Sequence, residues 1–258
     1  MKTSFDRFGQ HSLALPKIRR ISAGNIVAWL TAGWHDLRAN PLPSLAYGLL
    51  FGISGDLILL ATLRQPQLFS VAISGFFLVA PLLAAGLYEL SRCRVASQRP
   101  IFVESLLAFR RNGLAIVLFG LLLALLTLLW ERTSALAFSI LGDNNGQDVA
   151  SFIAQLFASG EQAGFFAAWL ALGAILALFT FALSVVAVPL MLDRDEDVIN
   201  AMLTSLNTFA ANPGPLLLWA LCLVSLTLLG FATLLFGLVV IMPILGHASW
   251  HAYRDLVE

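Results

Sequence analysis

Charge is scarce in this chain: Asp, Glu, Lys and Arg make up 12% of 258 residues, roughly half the share usual in soluble domains. A water-facing surface around so much apolar material is therefore excluded. Acidic and basic residues balance at 15 each, so no basic field advertises a nucleic-acid partner. Only two cysteines are present, Cys93 and Cys222; they fall at different depths and read as small packing residues rather than a disulfide or a thiolate metal site. The sequence has no phosphate-binding loop, dinucleotide glycine fingerprint, nucleophile elbow or zinc-protease helix motif. Enzymatic activity is therefore the less favoured reading, and no cofactor is assigned. Residues 1–20 carry five basic side chains but no apolar core, so they read as a basic cytoplasmic tail and not as a signal peptide.

What the chain does have is apolar length. Hydrophobic residues make up 59% of it, and uncharged runs at Gly113 to Trp130, Gly164 to Leu192 and Gly214 to Trp250 reach or exceed the roughly 20 residues a membrane-crossing helix needs. The last run is too long for one helix and is expected to turn back near Gly230. Ser44 to Leu63 and Leu68 to Leu90 add two more candidates. The expected fold is all-α and polytopic, with six transmembrane helices.

A repeat organises these spans. Short amphipathic segments end at Asn40-Pro41, Asn112-Gly113 and Asn212-Pro213, and each is followed by a long apolar hairpin whose second arm carries a proline, Pro81, Pro189 or Pro243. This predicts three tandem units of an interfacial helix plus a helical hairpin, about 21–95, 100–193 and 195–254, within one membrane domain over 21–258. In the first segment Ile26, Val27, Leu30, Trp34 and Leu37 share one side after a Ser22 cap. Phe102, Val103, Leu106, Leu107 and Phe109 form the second. In the third, Val198, Ile199, Met202, Leu203, Leu206 and Phe209 oppose Asn200, Thr204, Asn207 and Thr208, and Asn212-Pro213 stops the helix. Lying in the headgroup region would satisfy both faces. Small residues such as Gly48, Gly52 and Gly86 admit close helix approach, and the three prolines are expected to kink their helices.

With six spans, 13 of the 15 Lys and Arg fall on one side, which predicts cytoplasmic N- and C-termini. The largest connection, Glu131 to Ala163, would lie on the other side. It holds a turn signal at Gly142 to Gly146 and a short helix from Val149 to Phe157.

Ionisable groups at membrane depth are the candidates for function. Asp56 is the one charge well inside a span, close enough to water or Arg64 for relief. A polar rim gathers at the cytoplasmic ends of the second arms: Tyr88 and Glu89, then Asp193 and Arg194, then His247 and His251. Packing of the three units about one axis would bring these ends together. His247 and His251, spaced i, i+4, share a helix face as two metal ligands would, with His35, Glu89 or Asp193 to complete the set. Hydrogen bonding at the interface is the plainer reading of the pair, and no metal site is assigned.

The strings Gly86-Leu-Tyr-Glu-Leu-Ser-Arg92, Pro189-Leu-Met-Leu-Asp-Arg-Asp195, Ala211-Asn-Pro-Gly-Pro215 and Pro243-Ile-Leu-Gly-His-Ala-Ser-Trp-His-Ala-Tyr-Arg254 resemble a bacterial family of predicted integral membrane proteins, domain of unknown function 2189. The resemblance runs from about Ile18 and implies a multi-pass protein of the bacterial inner membrane; it implies no activity. Three functions remain in order: a scaffold that binds a membrane-protein partner or lipid, a small-solute or ion transporter or channel, and a metal- or haem-binding protein using His247 and His251.

Overall fold

The computed structural model describes residues 15–64, 69–98, 101–141 and 163–258. They form helices α1 (Gly24–Ala39), α2 (Pro41–Arg64), α3 (Phe69–Val95), α4 (Phe102–Leu106), α5 (Gly113–Leu141), α6 (Ala163–Ser184), α7 (Ala187–Arg194), α8 (Val198–Ala211), α9 (Pro213–Ala232) and α10 (Leu238–Leu256), with a 3-10 turn at Ala108–Asn112. Among the described residues the one piece of β pairing is an isolated antiparallel bridge between Ile18 and Val257. Within the described residues four stretches are long and apolar enough to cross a membrane: Pro41–Ile58, Phe102–Ala137, Ala163–Arg194 and Pro213–Ala232.

The three asparagine breakers sit where one helix ends and the next begins. Asn40 closes α1, Asn112 ends the 3-10 turn, and Asn212 closes α8. Two of them also tie distant backbone. The Asn112 amide donates to the Met191 and Glu196 carbonyls at 3.2 and 2.6 Å. Asn212 accepts from the Ile21 amide at 2.9 Å and donates to the Arg19 carbonyl at 3.0 Å. Residues 17–19 thereby lie along the C-terminus, where the Arg19 amide donates to Leu256 and the Glu258 amide to Lys17.

Several expectations change. α5 does not stop at Trp130 but continues to Leu141, so the connection to α6 is shorter than Glu131 to Ala163; Ala135, Leu136 and Ala137 extend the helical apolar run past the Glu131-Arg132 pair. The turn at Gly142 to Gly146 and the helix from Val149 to Phe157 lie outside the described residues. The run from Gly164 to Leu192 is two helices, broken at Val185 and Val186. Pro189 has no N–H to donate to Val185, four residues earlier, and its ring crowds that carbonyl. Ser205 on α8 repairs the break, accepting from the Val186 amide at 3.3 Å and donating to the Ala182 carbonyl at 2.7 Å. The reversal expected near Gly230 falls at residues 233–237.

Pro243 lies within α10, which stays helical on both sides of it. The carbonyl it leaves without a helix donor belongs to Val239. Gly48 of α2 packs on that carbonyl so closely that a Cβ there would overlap it. Pro81 falls within α3, in a stretch whose side chains are outside the described set.

The amphipathic helices do not divide cleanly into the expected apolar and polar sides: Ile26 and Leu37 are buried, and Val198, Met202 and Phe209 pack partly on the core. α8 buries Ala201, Thr204, Ser205 and Thr208 and leaves Ile199 60% exposed. Lipid gives no incentive to bury Leu or Ile, whereas small residues let backbones approach closely. Thr204 and Thr208 satisfy their own hydroxyls on the carbonyls four residues back, each at 2.7 Å. α1 likewise buries Ile26, Trp29, Gly33, Asp36 and Leu37, while Val27 and Trp34 face outward. Ser22 does not cap α1; its hydroxyl and amide both turn to the Asn25 side-chain oxygen. Asp197 does cap α8, accepting from the Ile199 and Asn200 amides.

Candidate functional site

The buried stripe of α1 packs against α10. Gly33 permits this, since a Cβ would meet the Ile244 carbonyl and Ala248. The Trp29 indole donates to Asp255 at 2.7 Å, and Asp36 is brought against the face of α10 that carries His247 and His251. α10 also packs on α2 and α3, which supply Ser44 and Ser91.

These side chains form one chain of hydrogen bonds. Ser91 Oγ donates to Asp36 Oδ2 at 2.6 Å and lies 2.7 Å from His247 Nδ1. Ser44 Oγ lies 2.9 Å from His247 Nε2, and His251 Nε2 lies 2.9 Å from Asp36 Oδ2. Arg94 donates to Asp36 Oδ1. Asp36, Ser44, Ser91 and His247 are all buried, none more than 3% exposed. Burial works to raise the Asp36 carboxyl, but the hydrogen bonds from His251 and Ser91 outweigh it and hold the group below its usual 3.8.

Because the carboxylate can only accept, the single Ser91 proton points to Asp36. His247 must then carry its proton on Nδ1 and donate to Ser91, and its bare Nε2 accepts from Ser44. Both ring nitrogens are thus engaged. Among the described residues no group of three or more His, Cys, Asp or Glu is placed to hold a metal ion. The i, i+4 histidines share a face, and His251 meets Asp36 directly while His247 reaches it through Ser91.

The other rim residues enter two further groups. Glu89, with its side chain 8% exposed, takes paired hydrogen bonds from Arg92 at 2.7 and 2.9 Å and from Arg111 at 2.9 and 2.8 Å, fastening α3 to the 3-10 turn. Asp193 accepts from the Tyr253 hydroxyl at 2.8 Å and from Arg254 at 3.4 Å, and Arg194 donates to Tyr253 and to the Glu258 carbonyl. Burial first, then the Asp193 carboxylate, pushes the Tyr253 hydroxyl up, so it stays protonated and donates. Tyr88 stacks on Trp250 with ring centroids 6.4 Å apart. His35 is exposed on the far side of α1, and Asp56 is exposed on α2. Cys93 and Cys222 are free thiols.

Asp36, Ser44 and Ser91 were not among the residues singled out in the sequence, although a signal exists. Ile26, Trp29, Gly33 and Asp36 are spaced i, i+3, i+7 and i+10, one helical stripe with the carboxylate in line.

Helices of this length, with Leu114, Leu125, Ile175 and Leu221 more than 60% exposed, define an integral membrane protein. Residues 68–193 match the family described as "Predicted integral membrane protein (DUF2189)". That match is shorter than the resemblance drawn from Ile18 onward; the strings at Ala211 to Pro215 and Pro243 to Arg254 lie beyond it. No curated protein and no solved structure matches the chain.

Proposed function

We propose that this is a non-enzymatic protein of the bacterial inner membrane that organises a membrane-protein partner or lipid at its cytoplasmic rim. In this reading it has six spans in three tandem units, with both termini cytoplasmic. The repeated helix-asparagine-helix junctions at Asn40, Asn112 and Asn212 support the units, and the crowding of Lys and Arg toward one side supports the orientation.

The observation that carries the reading is the pairing of polar and apolar faces. The carboxylates and imidazoles of the rim bond to other side chains of the same chain, so their role is to hold helices in place. The outward residues of α1 and α8 include four large apolar ones, Val27, Trp34, Ile199 and Leu203, beside the polar Thr31, His35, Arg38 and Asn207. Such faces suit helix-in-membrane contact rather than chemistry.

Photo-crosslinking from Val27 and Ile199 in native membranes tests it. The expected result is one reproducible crosslinked partner from each position. A smear of unrelated neighbours that scales with their abundance would overturn the proposal. A reporter fused after Glu258 that is active only outside the cytoplasm would overturn the orientation.

A further inference from the structure

α5 and α6 stand apart along much of their length and enclose a half-open groove of about 780 Å³. Its wall is largely apolar, from Leu123, Leu126, Leu176 and Phe181, with Thr180 and Ser184 toward one end. From Trp169 to Ser184 the groove follows fifteen residues of helix, roughly 22 Å. One leaflet of hydrocarbon is about half of a 30 Å layer, so the groove can take a whole acyl tail.

The other end is polar and aromatic. Trp130 and Trp169 stack there with centroids 5.5 Å apart, and Gly173 makes room for the Trp130 ring. The Trp169 indole donates to Ser134 Oγ at 3.0 Å. Paired tryptophans at the end of an apolar run mark headgroup depth. Beside them Glu131 lines the groove, and Arg132 Nε lies 3.1 Å from its Oε2, with the Arg132 side chain 69% exposed.

We propose that this groove binds one molecule of a zwitterionic phospholipid whose head carries a primary ammonium, of the phosphatidylethanolamine type. The tail lies between α5 and α6, the ammonium meets the Glu131 carboxylate, and the phosphodiester meets the Arg132 guanidinium. The Arg132 side chain is exposed, whereas that of Glu131 is only 27% exposed and its Oε2 is buried without a hydrogen-bond donor, so a ligand ammonium would supply the donor that this oxygen lacks while the guanidinium turns to the phosphate. The groove shares no residue with the rim network and stands or falls separately from the scaffold reading.

Native mass spectrometry of the full chain in mild detergent, titrated with phosphatidylethanolamine or phosphatidylglycerol, tests the proposal. The wild-type protein is expected to retain the ethanolamine lipid in preference to the glycerol lipid. Glu131→Gln should remove that preference, Arg132→Gln should weaken retention by up to about fivefold, the range of an exposed ion pair, and Ala177→Trp should reduce retention of both lipids by filling the groove. Equal retention of the two lipids by wild type, or retention untouched by both head-end variants, overturns it. Arg132 is exposed enough that its substitution leaves folding intact, so the result stands even if Ala177→Trp fails to fold.

Discussion

Asp36→Asn isolates the charge at the centre of the network while keeping the shape of the side chain. In the native protein the carboxylate accepts from Ser91 at 2.6 Å, from His251 at 2.9 Å and from Arg94. Hydrogen bonds to a charged group contribute about 1.5–3 kcal/mol net, against about 0.5–1.5 for neutral ones. The amide weakens the Ser91 and His251 bonds by about 1 kcal/mol each. The Arg94 side chain is 38% exposed and recovers water when released, so its share is discounted to well under 1 kcal/mol. The expected loss is about 2–3 kcal/mol, a fall in Tm of roughly 5–10 °C by the scale for domains of similar size.

A thermal-shift measurement on the detergent-purified protein reads this directly, and its pH dependence gives an independent check. The folded Asp36 carboxyl sits below its usual 3.8, so the folded state favours the ionised form. Its contribution is complete above the unfolded value and is lost as pH falls from there through the depressed folded value. Wild type should therefore lose Tm as pH drops below about 4, and Asp36→Asn should lose less over the same interval. Identical acid limbs, or a variant within about 1 °C of wild type at neutral pH, would refute the assignment of Asp36 as a structural hub.

Further outcomes follow from the same packing. Gly48→Ala places a methyl on the Val239 carbonyl and should destabilise by about 1–3 kcal/mol, whereas Gly52→Ala meets Val239 Cγ2 at an ordinary 3.5 Å and should be close to neutral in the same thermal scan. Ser205→Ala removes the hydroxyl that bridges the α6–α7 break; the freed Val186 amide and Ala182 carbonyl should cost about 1–3 kcal/mol, with faster hydrogen exchange confined to residues around the break.

Much of the fold was legible because its signals are local. The asparagine junctions, and a reversal within a few residues of Gly230, follow from backbone chemistry that lipid does not alter. Orientation was not legible by the same route. Reading α1 and α8 as interfacial helices separates an apolar from a polar side, whereas α1 buries Ile26 and Leu37 together with Asp36, and α8 buries Thr204 and Thr208 while Ile199 stays exposed. The site was legible in part. The shared face of His247 and His251 follows from their spacing, but Asp36, which His251 meets directly and His247 through Ser91, lies 211 residues before His247, and no local pattern pairs them. Glu89 and Asp193 were recognisable as rim carboxylates, while their separate arginine and tyrosine partners depend on how α3, α7 and α10 pack.

In lipid, apolar side chains supply no net reason for helices to associate, so polar contacts and close backbone approach must hold this end of the bundle together. His247 joins three helices, since it lies on α10 and its nitrogens meet Ser44 of α2 and Ser91 of α3. It is nonetheless the more replaceable member of the network. In His247→Leu, Ser91 keeps its bond to Asp36, and Ser44, in the first turn of α2, can turn its hydroxyl to the Asn40 carbonyl that its amide already uses. The loss should be about 1 kcal/mol, well below that of Asp36→Asn. A ligand or proton carrier behaves in the opposite order: removing the imidazole abolishes its activity, whereas the amide at Asp36 only tunes it. Comparing partner crosslinking and Tm for the two variants separates the cases. A His247→Leu protein that is as stable as expected but loses all partner capture would put the function in the imidazole rather than in the packing it completes.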